Sequence, residues 1–368
     1  MKYRILVLLS FAVVLACKTS HSKHGYDGMS GATKMVNMVH YPQEKHLKNV
    51  KQITFGGDNA EAYWSFDNSK LVFQANNRAW GLECDQIFMM DASKPLDSSE
   101  IPQLISTGEG RTTCSYFLSD NETIVYSSTH LASKDCPPVP KKEDYGNKYI
   151  WPVYEDYDIF LADSKGNQLK QLTFEKGYDA EPTVSPKGDR IVFTSTRTGD
   201  LELFTMASDG SDVIQVTKEL GYDGGAFFSP DGKKLIFRSS RPKTEEEIKE
   251  YKDLLAVGLV QPTNMELYVC NVDGSDMQKI TDLGSANWAP FFHPSGKKVI
   301  FSSNHVSKRS FNLYMINLDG TGLEQITYDS VFDAFPMFSP DGKKIVFSSN
   351  RNNNGTRDTN LFVADWVD

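Results

Sequence analysis

One short line of sequence recurs along this chain and constrains its fold more than any other feature. Three near copies are "FFSPDGKKLIFRSS" (227–240), "FFHPSGKKVIFSSN" (291–304) and "MFSPDGKKIVFSSN" (337–350). Fainter copies, which bring the count to six, occupy 63–76, 116–129 and 183–196. Such repetition indicates an architecture in which each unit buries its apolar surface against its neighbours.

Each repeat predicts four β-strands. In the clearest copy, the apolar "GAFF" is followed by the turn "SPDG" and by the apolar, β-branched "KKLIF". A third strand such as "LELFTMASDG" (201–210) ends in another Asp-Gly turn, and a short fourth strand such as "IQVT" (214–217) ends the unit. The tightest spacing between copies, from Ser185 to Ser229, is 44 residues, which is the size of one four-stranded propeller blade.

The two ends of the repeat region predict how the ring closes. After the sixth copy, the chain offers only one further strand, "TNLFVADW" (359–366). The segment "KQIT" (51–54) precedes the first copy and has no blade of its own. Pairing these segments would complete the last blade and cover two exposed sheet edges. We therefore predict an all-β, six-bladed β-propeller over residues 46–368, closed by an N-terminal strand.

The repeated Ser-Pro-Asp-Gly-Lys-Lys-Ile-Val-Phe line resembles the WD-like propeller repeat of TolB and of prolyl-oligopeptidase-type peptidases. The resemblance covers about residues 46–368 and implies a six-bladed propeller, a fold that hosts unrelated activities. TolB carries an α/β domain before its propeller, where this chain has only a short segment. The peptidases add a catalytic domain with a Gly-x-Ser-x-Gly motif, which this sequence lacks, so we expect no peptidase of that class.

The N-terminus predicts export and lipid attachment. Lys2 and Arg4 precede an apolar run too short to span a bilayer comfortably, and Val14-Leu15-Ala16-Cys17 resembles the bacterial lipobox. The resemblance implies a signal peptide at 1–16 and a lipid anchor on Cys17, with residues 17–45 as a flexible tether. An ordinary signal peptide is the alternative. Lys18 implies sorting to the outer membrane, and we expect the domain to face the periplasm.

The charge of the chain argues against nucleic acid as a partner. The formal net charge is −9 for the full chain, and it becomes −11 once residues 1–16 are removed. There is no basic run, which nucleic acids and anionic lipids would require. A membrane contact through the lipid anchor alone is therefore expected.

Strand alternation assigns the loops to two faces of the ring. The Ser-Pro-Asp-Gly turns lie on one face (the turn face), and the loops that join second to third strands lie on the other (the loop face). The long insertions 77–84, 128–157 and 241–264 all belong to the loop face, which favours that face as the working surface. Residues 241–264 contain a helix in blade 4, with Thr244 and Glu247 as a capping box.

Two interpretations of the aromatic insertion remain open. It contains several tyrosines and a tryptophan, including Tyr149 and Trp151, among prolines and charges. It could be a lid whose aromatic rings pack onto the propeller. It could instead be a recognition surface that grips a peptide, glycan or partner loop.

The loops that enter the first strands supply further candidates. They should place acidic side chains around one mouth of the central channel, together with Arg111 and Trp288; the acidic residues are Asp58, Glu61, Asp179, Glu181, Asp223 and Asp333. Such a carboxylate ring could hold a hard cation such as calcium. The alternative, which we favour, is that the aspartates bond to neighbouring backbone amides.

Cysteine and histidine residues offer a second kind of site. Cys84, Cys114 and Cys136 map to the loop face near His130, so a disulfide between two of them and a Cys₃His zinc site are both conceivable. Because the protein is expected outside the cytoplasm, the disulfide is favoured. His130 is the best catalytic candidate, but spacing identifies no nucleophile or carboxylate partner for it.

Two functions follow from these patterns. The first is a non-enzymatic propeller of the bacterial envelope that binds a protein partner or complex through its loop face. The second is a lyase or hydrolase of a sugar or peptide, with its site over the channel mouth near His130, Arg111, Asp179 and Asp223. The sequence favours binding because no catalytic constellation emerges from the spacing of its residues.

Overall fold

The structure of the protein is a computed structural model in which residues 38–368 are described. Six four-stranded antiparallel sheets lie side by side, and the first strand of each contacts those of its two neighbours around a ring. The sequence prediction of an all-β, six-bladed propeller is therefore confirmed. The predicted signal peptide, Cys17 and most of the predicted tether lie outside the described residues.

The strands of the first half follow the order predicted from the repeat. Strand β1 spans Leu47–Gln52. Blade 1 contains β2 (Asp58–Trp64), β3 (Lys70–Asn76), β4 (Gln86–Asp91) and β5 (Gln103–Leu104). Blade 2 contains β6 (Thr112–Phe117), β7 (Thr123–Ser128), an inserted β8 (Trp151–Pro152), β9 (Asp158–Asp163) and β10 (Gln168–Gln171). Blade 3 contains β11 (Asp179–Val184), β12 (Arg190–Ser195), β13 (Glu202–Ala207) and β14 (Ile214–Gln215).

The second half repeats this order with one helix added. Blade 4 contains β15 (Asp223–Phe228), β16 (Lys234–Ser239), the inserted α1 (Glu245–Leu255) and β17 (Leu259–Val260), β18 (Glu266–Asn271) and β19 (Gln278–Lys279). Blade 5 contains β20 (Asn287–Phe292), β21 (Lys298–Ser303), β22 (Asn312–Asn317) and β23 (Glu324–Gln325). Blade 6 contains β24 (Asp333–Phe338), β25 (Lys344–Ser349) and β26 (Asn360–Trp366). Two 3-10 helices cover Arg78–Trp80 and Lys142–Tyr145.

The threonine that follows the fourth strand ties that strand to the third. Thr217 Oγ1 accepts a hydrogen bond from the backbone N–H of Leu203 at 2.8 Å and donates to the carboxylate of Glu202. The same bond to the third strand recurs at Thr173, Thr281 and Thr327. A buried N–H without a partner would be costly, so this contact explains why Ile-Thr or Val-Thr ends most repeats.

Ring closure occurs where the sequence predicted it. Strand β1 pairs antiparallel with β26, with Leu47 opposite Trp366 and Gln52 opposite Phe362. Thr54 then accepts from the Leu361 N–H at 2.8 Å, as its counterparts do in other blades. The "KQIT" segment is thus the fourth strand of blade 6.

The start of the ordered domain corrects the predicted tether boundary at residue 45. The Glu44 side chain is fully buried, and the Tyr41 hydroxyl donates to Asp329 Oδ2 at 2.9 Å. The segment from 38 to 45 therefore packs against the propeller. Spacing along the sequence did not reveal this, because the partners of the segment, Asp329 and Arg351, come from the far end of the chain.

The first strand of every blade carries a β-bulge at the same place. The residues there have φ between 44° and 59°, and they are Glu61, Cys114, Glu181, Gly225, Ala289 and Phe335. The register of first and second strands shifts at this point in each blade. All six bulge residues line a small cavity at the centre of the ring, so the bulges aim them into the channel.

The two large insertions meet on the loop face. Strand β8 of blade 2 pairs with β17 of blade 4, and the predicted capping box of Thr244 and Glu247 opens the helix α1. Tyr251 and Leu254 of the helix are buried against the protein, as the predicted apolar stripe required. Within residues 38–368, no helix has the length and apolar character needed to span a membrane.

Candidate functional site

Three of the predicted channel-mouth aspartates are ion-paired with arginines of their own blades. Each aspartate begins a first strand, and its arginine stands 18 residues later. The pairs are Asp179–Arg197 at 2.9 Å, Asp223–Arg241 at 2.7 Å and Asp333–Arg351 at 2.8 Å. The aspartate side chains are at most 1% exposed. These carboxylates therefore hold the second strand to the first and are not free to bind a ligand.

His130 occupies the arginine position of this repeated pair. In blade 2, Thr112 replaces the aspartate, and His130 follows it by the same 18 residues. Its Nδ1 lies 2.9 Å from Ser128 Oγ, and its ring packs 4.5 Å from the ring of Phe160. Burial lowers the pKa of His130. Among the described residues no carboxylate hydrogen-bonds to its ring, so the predicted catalytic role gains no partner.

Asp58 and Arg111 lie near one another but do not form a pair. Arg111 forms an ion pair with Asp85, while Asp58 begins β2 and is exposed. Burial of its carboxyl, followed by the charge of Asp85, raises the pKa of Asp58. The residue pair that sequence analysis missed is therefore Asp85–Arg111.

The centre of the channel holds a buried ion pair. Glu181 pairs with Arg238 and accepts further hydrogen bonds from Thr194 Oγ1 at 2.7 Å, the Gly225 N–H at 2.8 Å and the Tyr222 hydroxyl at 3.2 Å. A buried charge requires such partners. Glu181 was predicted to lie at the channel mouth, and the bulge places it deeper.

A second carboxylate in the channel has no cationic partner. Glu61 accepts hydrogen bonds from the Cys114 thiol at 2.9 Å and from the Tyr63 hydroxyl at 3.1 Å. Burial raises the pKa of Glu61, and the nearby Glu181 carboxylate adds to this effect. Burial likewise raises the pKa of the Cys114 thiol. The thiol is therefore an unreactive hydrogen-bond donor.

Aromatic side chains cover the channel at the loop face. The Trp151 ring lies 5.4 Å from the Arg238 guanidinium and 5.1 Å from the Trp288 ring. Tyr149 stacks 6.1 Å from Trp288, whose indole N–H donates to Pro262 O at 2.9 Å. Trp288 is buried, whereas Tyr149 is 53% exposed. The insertion thus packs as a lid, and one of its tyrosines remains exposed.

A cleft of about 650 Å³ opens beside this lid. Its walls come from both insertions and from the loops of blade 3 beneath them. The residues that line it include Pro138, Pro140, Tyr145, Tyr154, Lys176 and Leu259. A volume of this size lies within the usual range of ligand-binding clefts.

The three loop-face cysteines divide into a disulfide and a thiol. Cys84 and Cys136 are bonded, which ties the blade 2 insertion to blade 1, and Cys114 is buried in the channel. Cys270 is buried in the core of blade 4.

The structure contradicts the two metal hypotheses. Among residues 38–368, no group of three or more histidine, cysteine, aspartate or glutamate side chains is arranged to hold a metal ion. The calcium ring does not form because arginines pair with its aspartates, and the zinc site does not form because two of its thiols are oxidised.

Sequence comparison places this chain among propellers. Residues 152–254 and 259–357 match the TolB beta propeller domain family. No curated protein matches the sequence.

Solved structures agree on the fold. TolB from Acinetobacter baumannii has a TM-score of 0.54 and 20% identity, over 82% of this chain and 64% of that protein. A structure described as TolB from Agrobacterium tumefaciens has a TM-score of 0.53 and 19% identity, over 85% and 91% of the two chains. An oligogalacturonate lyase from Vibrio parahaemolyticus has a TM-score of 0.50 and 12% identity, over 86% and 93%. At these identities the similarity shows the fold alone.

Proposed function

Because the chain belongs to the TolB beta-propeller domain family, we propose that it is a lipid-anchored protein of the bacterial envelope that binds a protein partner through its loop face. The proposed location rests on the lipobox-like sequence that ends at Cys17. The proposed anchor leaves residues 18–37 between the lipid and the described domain, which is enough chain to hold the propeller clear of the membrane.

The cleft between the two insertions carries this proposal. It is lined by proline, tyrosine and aliphatic side chains, with Lys176, Glu155 and Asp156 at its edge. Tyrosine supplies a large contact area at a low entropy cost, and proline limits the motion of the wall. These are features of surfaces that bind proteins.

Several contacts keep the walls of the cleft in place before a partner arrives. Strand β8 pairs with β17, Lys148 forms an ion pair with Glu250 of the helix, and the Tyr251 hydroxyl donates to Asp200 of blade 3. The disulfide of Cys84 and Cys136 anchors the base of the insertion. A surface that is already ordered loses little conformational entropy on binding, which favours affinity.

The enzymatic alternative has less support. Its candidate acids, Asp179 and Asp223, are engaged with arginines, and His130 bonds to a serine. The similarity to an oligogalacturonate lyase concerns the fold and transfers no residue roles.

Site-specific photo-crosslinking in cells tests the proposed function. A benzophenone amino acid replaces Tyr145 or Tyr154 in the cleft, or Leu169 on the exposed outer strand β10 as the control. We expect a discrete protein adduct from both cleft positions and none from Leu169. Mass spectrometry of the adduct identifies the partner.

Two results would contradict the proposal. One is the absence of any protein adduct from both cleft positions. The other is turnover of oligogalacturonate or of peptides by the purified protein that is lost in His130→Ala, since that result would favour the enzyme.

A further inference from the structure

The turn face carries a second concave surface, which the analysis of loop lengths overlooked. A funnel of about 190 Å³ opens there at the end of the central channel. Its lining comes from the ends of the first strands and from the Ser-Pro-Asp-Gly turns of the blades. The residues that define it best are Phe66, Tyr116, Pro186, Pro230, Phe291 and Pro340.

The funnel is separated from the polar cavity at the channel centre. Tyr63 and Phe227 line both spaces, and their ring centroids lie 6.0 Å apart. Tyr116 packs 5.3 Å from Tyr63, and Phe291 packs 5.2 Å from Phe227. These four rings close the base of the funnel, so a ligand that enters it cannot reach Glu61 by the same path.

The rim of the funnel is held rigid by contacts between successive turns. A Cβ on Gly232 would lie 3.8 Å from Pro186 of the preceding blade, and a Cβ on Gly296 would lie 3.8 Å from Pro230. Between blades 6 and 1, the backbone N–H of Asp341 donates to Asn68 at 3.2 Å. The turns therefore form a connected ring, and its shape does not depend on a ligand.

The charge on the rim is basic on three consecutive blades. Lys187, Lys233 and Lys297 stand on the turns of blades 3, 4 and 5, are exposed, and form no ion pair among the described residues. The turn aspartate Asp231 accepts a hydrogen bond from Ser229 of its own turn. Unpaired lysines around an apolar funnel favour a ligand with carboxylates next to an apolar group.

We propose that this funnel binds a protein partner that inserts one large apolar or aromatic side chain from an acidic segment. The volume is below the range of clefts for drug-sized ligands but suits one or two side chains, as in the pocket for an interface anchor. A sugar chain would need several hydrogen-bonding groups on the wall, and the exposed lining is mainly aromatic and proline. This surface lies on the opposite face from the cleft, so it stands or falls independently of the proposed function.

Model peptides test the proposal. Saturation-transfer NMR on the full chain measures binding of acetyl-Glu-Glu-Trp-Glu-Glu-amide, of the same peptide with Ala in place of Trp, and of acetyl-Lys-Lys-Trp-Lys-Lys-amide. We expect saturable binding of the acidic Trp peptide, with the other two at least tenfold weaker. In the double variant Pro186→Glu/Pro230→Glu, binding of the acidic Trp peptide should fall at least tenfold.

A loop-face variant provides the control. Pro138→Glu puts the same charge on the edge of the cleft and should leave peptide binding unchanged. Circular dichroism and thermal unfolding establish that the variants are folded. The proposal is overturned if the acidic Trp peptide shows no saturable binding, if the Ala or Lys peptide binds equally well, or if the rim variant binds like the wild type. It is also overturned if trigalacturonate displaces the peptide and binds more tightly.

Discussion

Arg351 and Glu44 form an ion pair with an Nη2–Oε1 distance of 2.8 Å, and neither side chain is exposed to solvent. The same guanidinium donates to Asp333 Oδ2 at 2.8 Å. Arg351 therefore serves the repeated pair of blade 6 and also binds the segment that precedes the first strand. Because removal of one partner leaves a buried charge undercompensated, the pair is a test of how the ring is locked.

Glu44→Ala should lower the free energy of unfolding by about 3 kcal/mol, because Arg351 keeps its charge in a buried site. Urea unfolding followed by fluorescence measures this. Lys45→Ala is the matched control, since its ion pair with Glu324 is exposed, and little change is expected. Equal effects of the two substitutions would contradict the assigned role of Glu44.

Glu202→Gln should change how stability depends on pH. Burial, opposed by the Thr217 hydrogen bond and reinforced by Asp223, raises the pKa of Glu202 to about 8. The folded protein thus keeps this proton up to about pH 8, whereas the unfolded chain releases it above the ordinary pKa of 4.5. The contribution of Glu202 to stability is therefore full below pH 4.5 and is lost as the pH rises to about 8.

Glutamine cannot ionise, so the variant avoids this loss. The stability of Glu202→Gln relative to the wild type should increase between pH 5 and pH 8.5 by on the order of a few kcal/mol. Urea unfolding across this range measures the difference. Glu219→Gln, at an exposed carboxylate that also pairs with Arg241, is the control and should give a flat difference. A flat difference for Glu202→Gln as well would show that its pKa is ordinary.

Thr54→Val should weaken the closure of the ring. The substitution keeps the shape of the side chain but removes the acceptor for the Leu361 N–H, which then lies buried without a partner. The expected cost is about 1–3 kcal/mol. Thr173→Val makes the same change inside blade 2. Hydrogen exchange should show faster exchange in β1 and β26 only for Thr54→Val, and identical exchange patterns would argue against a closing role.

Removing the disulfide should loosen the blade 2 insertion. Cys84→Ser combined with Cys136→Ser should lower stability by about 2–4 kcal/mol and expose residues 129–157 to limited proteolysis. Cys270→Ser, in the core of a different blade, should lower stability without new cleavage in the insertion. Cys114 should resist thiol reagents until the protein unfolds, because burial raises the pKa of its thiol. Rapid modification of Cys114 in the native protein would contradict this.

Cys17→Ser tests the proposed anchor. We expect the wild-type chain to incorporate labelled palmitate and to fractionate with membranes, and the variant to lose both properties. Retention of the label in the variant would place the lipid elsewhere or remove the anchor from the proposal.

Sequence reasoning predicted the blades well because each repeat carries its own turn residues and strand periodicity. The helix α1 was also predictable, since Thr244 and Glu247 are near neighbours in the chain. The Asp–Arg pairs could have been found in the same way, because 18 residues separate their members in each case. Attention to single loops concealed that regularity, and it made His130 appear more unusual than it is.

The amino-acid sequence by itself determined the number of blades, their strands and the closure by an N-terminal strand, because local turn chemistry and a fixed repeat specify them. Only the tertiary structure decided which side chains meet in the channel and on the two faces. The six bulges bring Glu61, Cys114 and Glu181 together from three blades, and the partner of Glu44 lies 307 residues away. Such contacts follow from the closure of the ring, and no spacing along the chain encodes them.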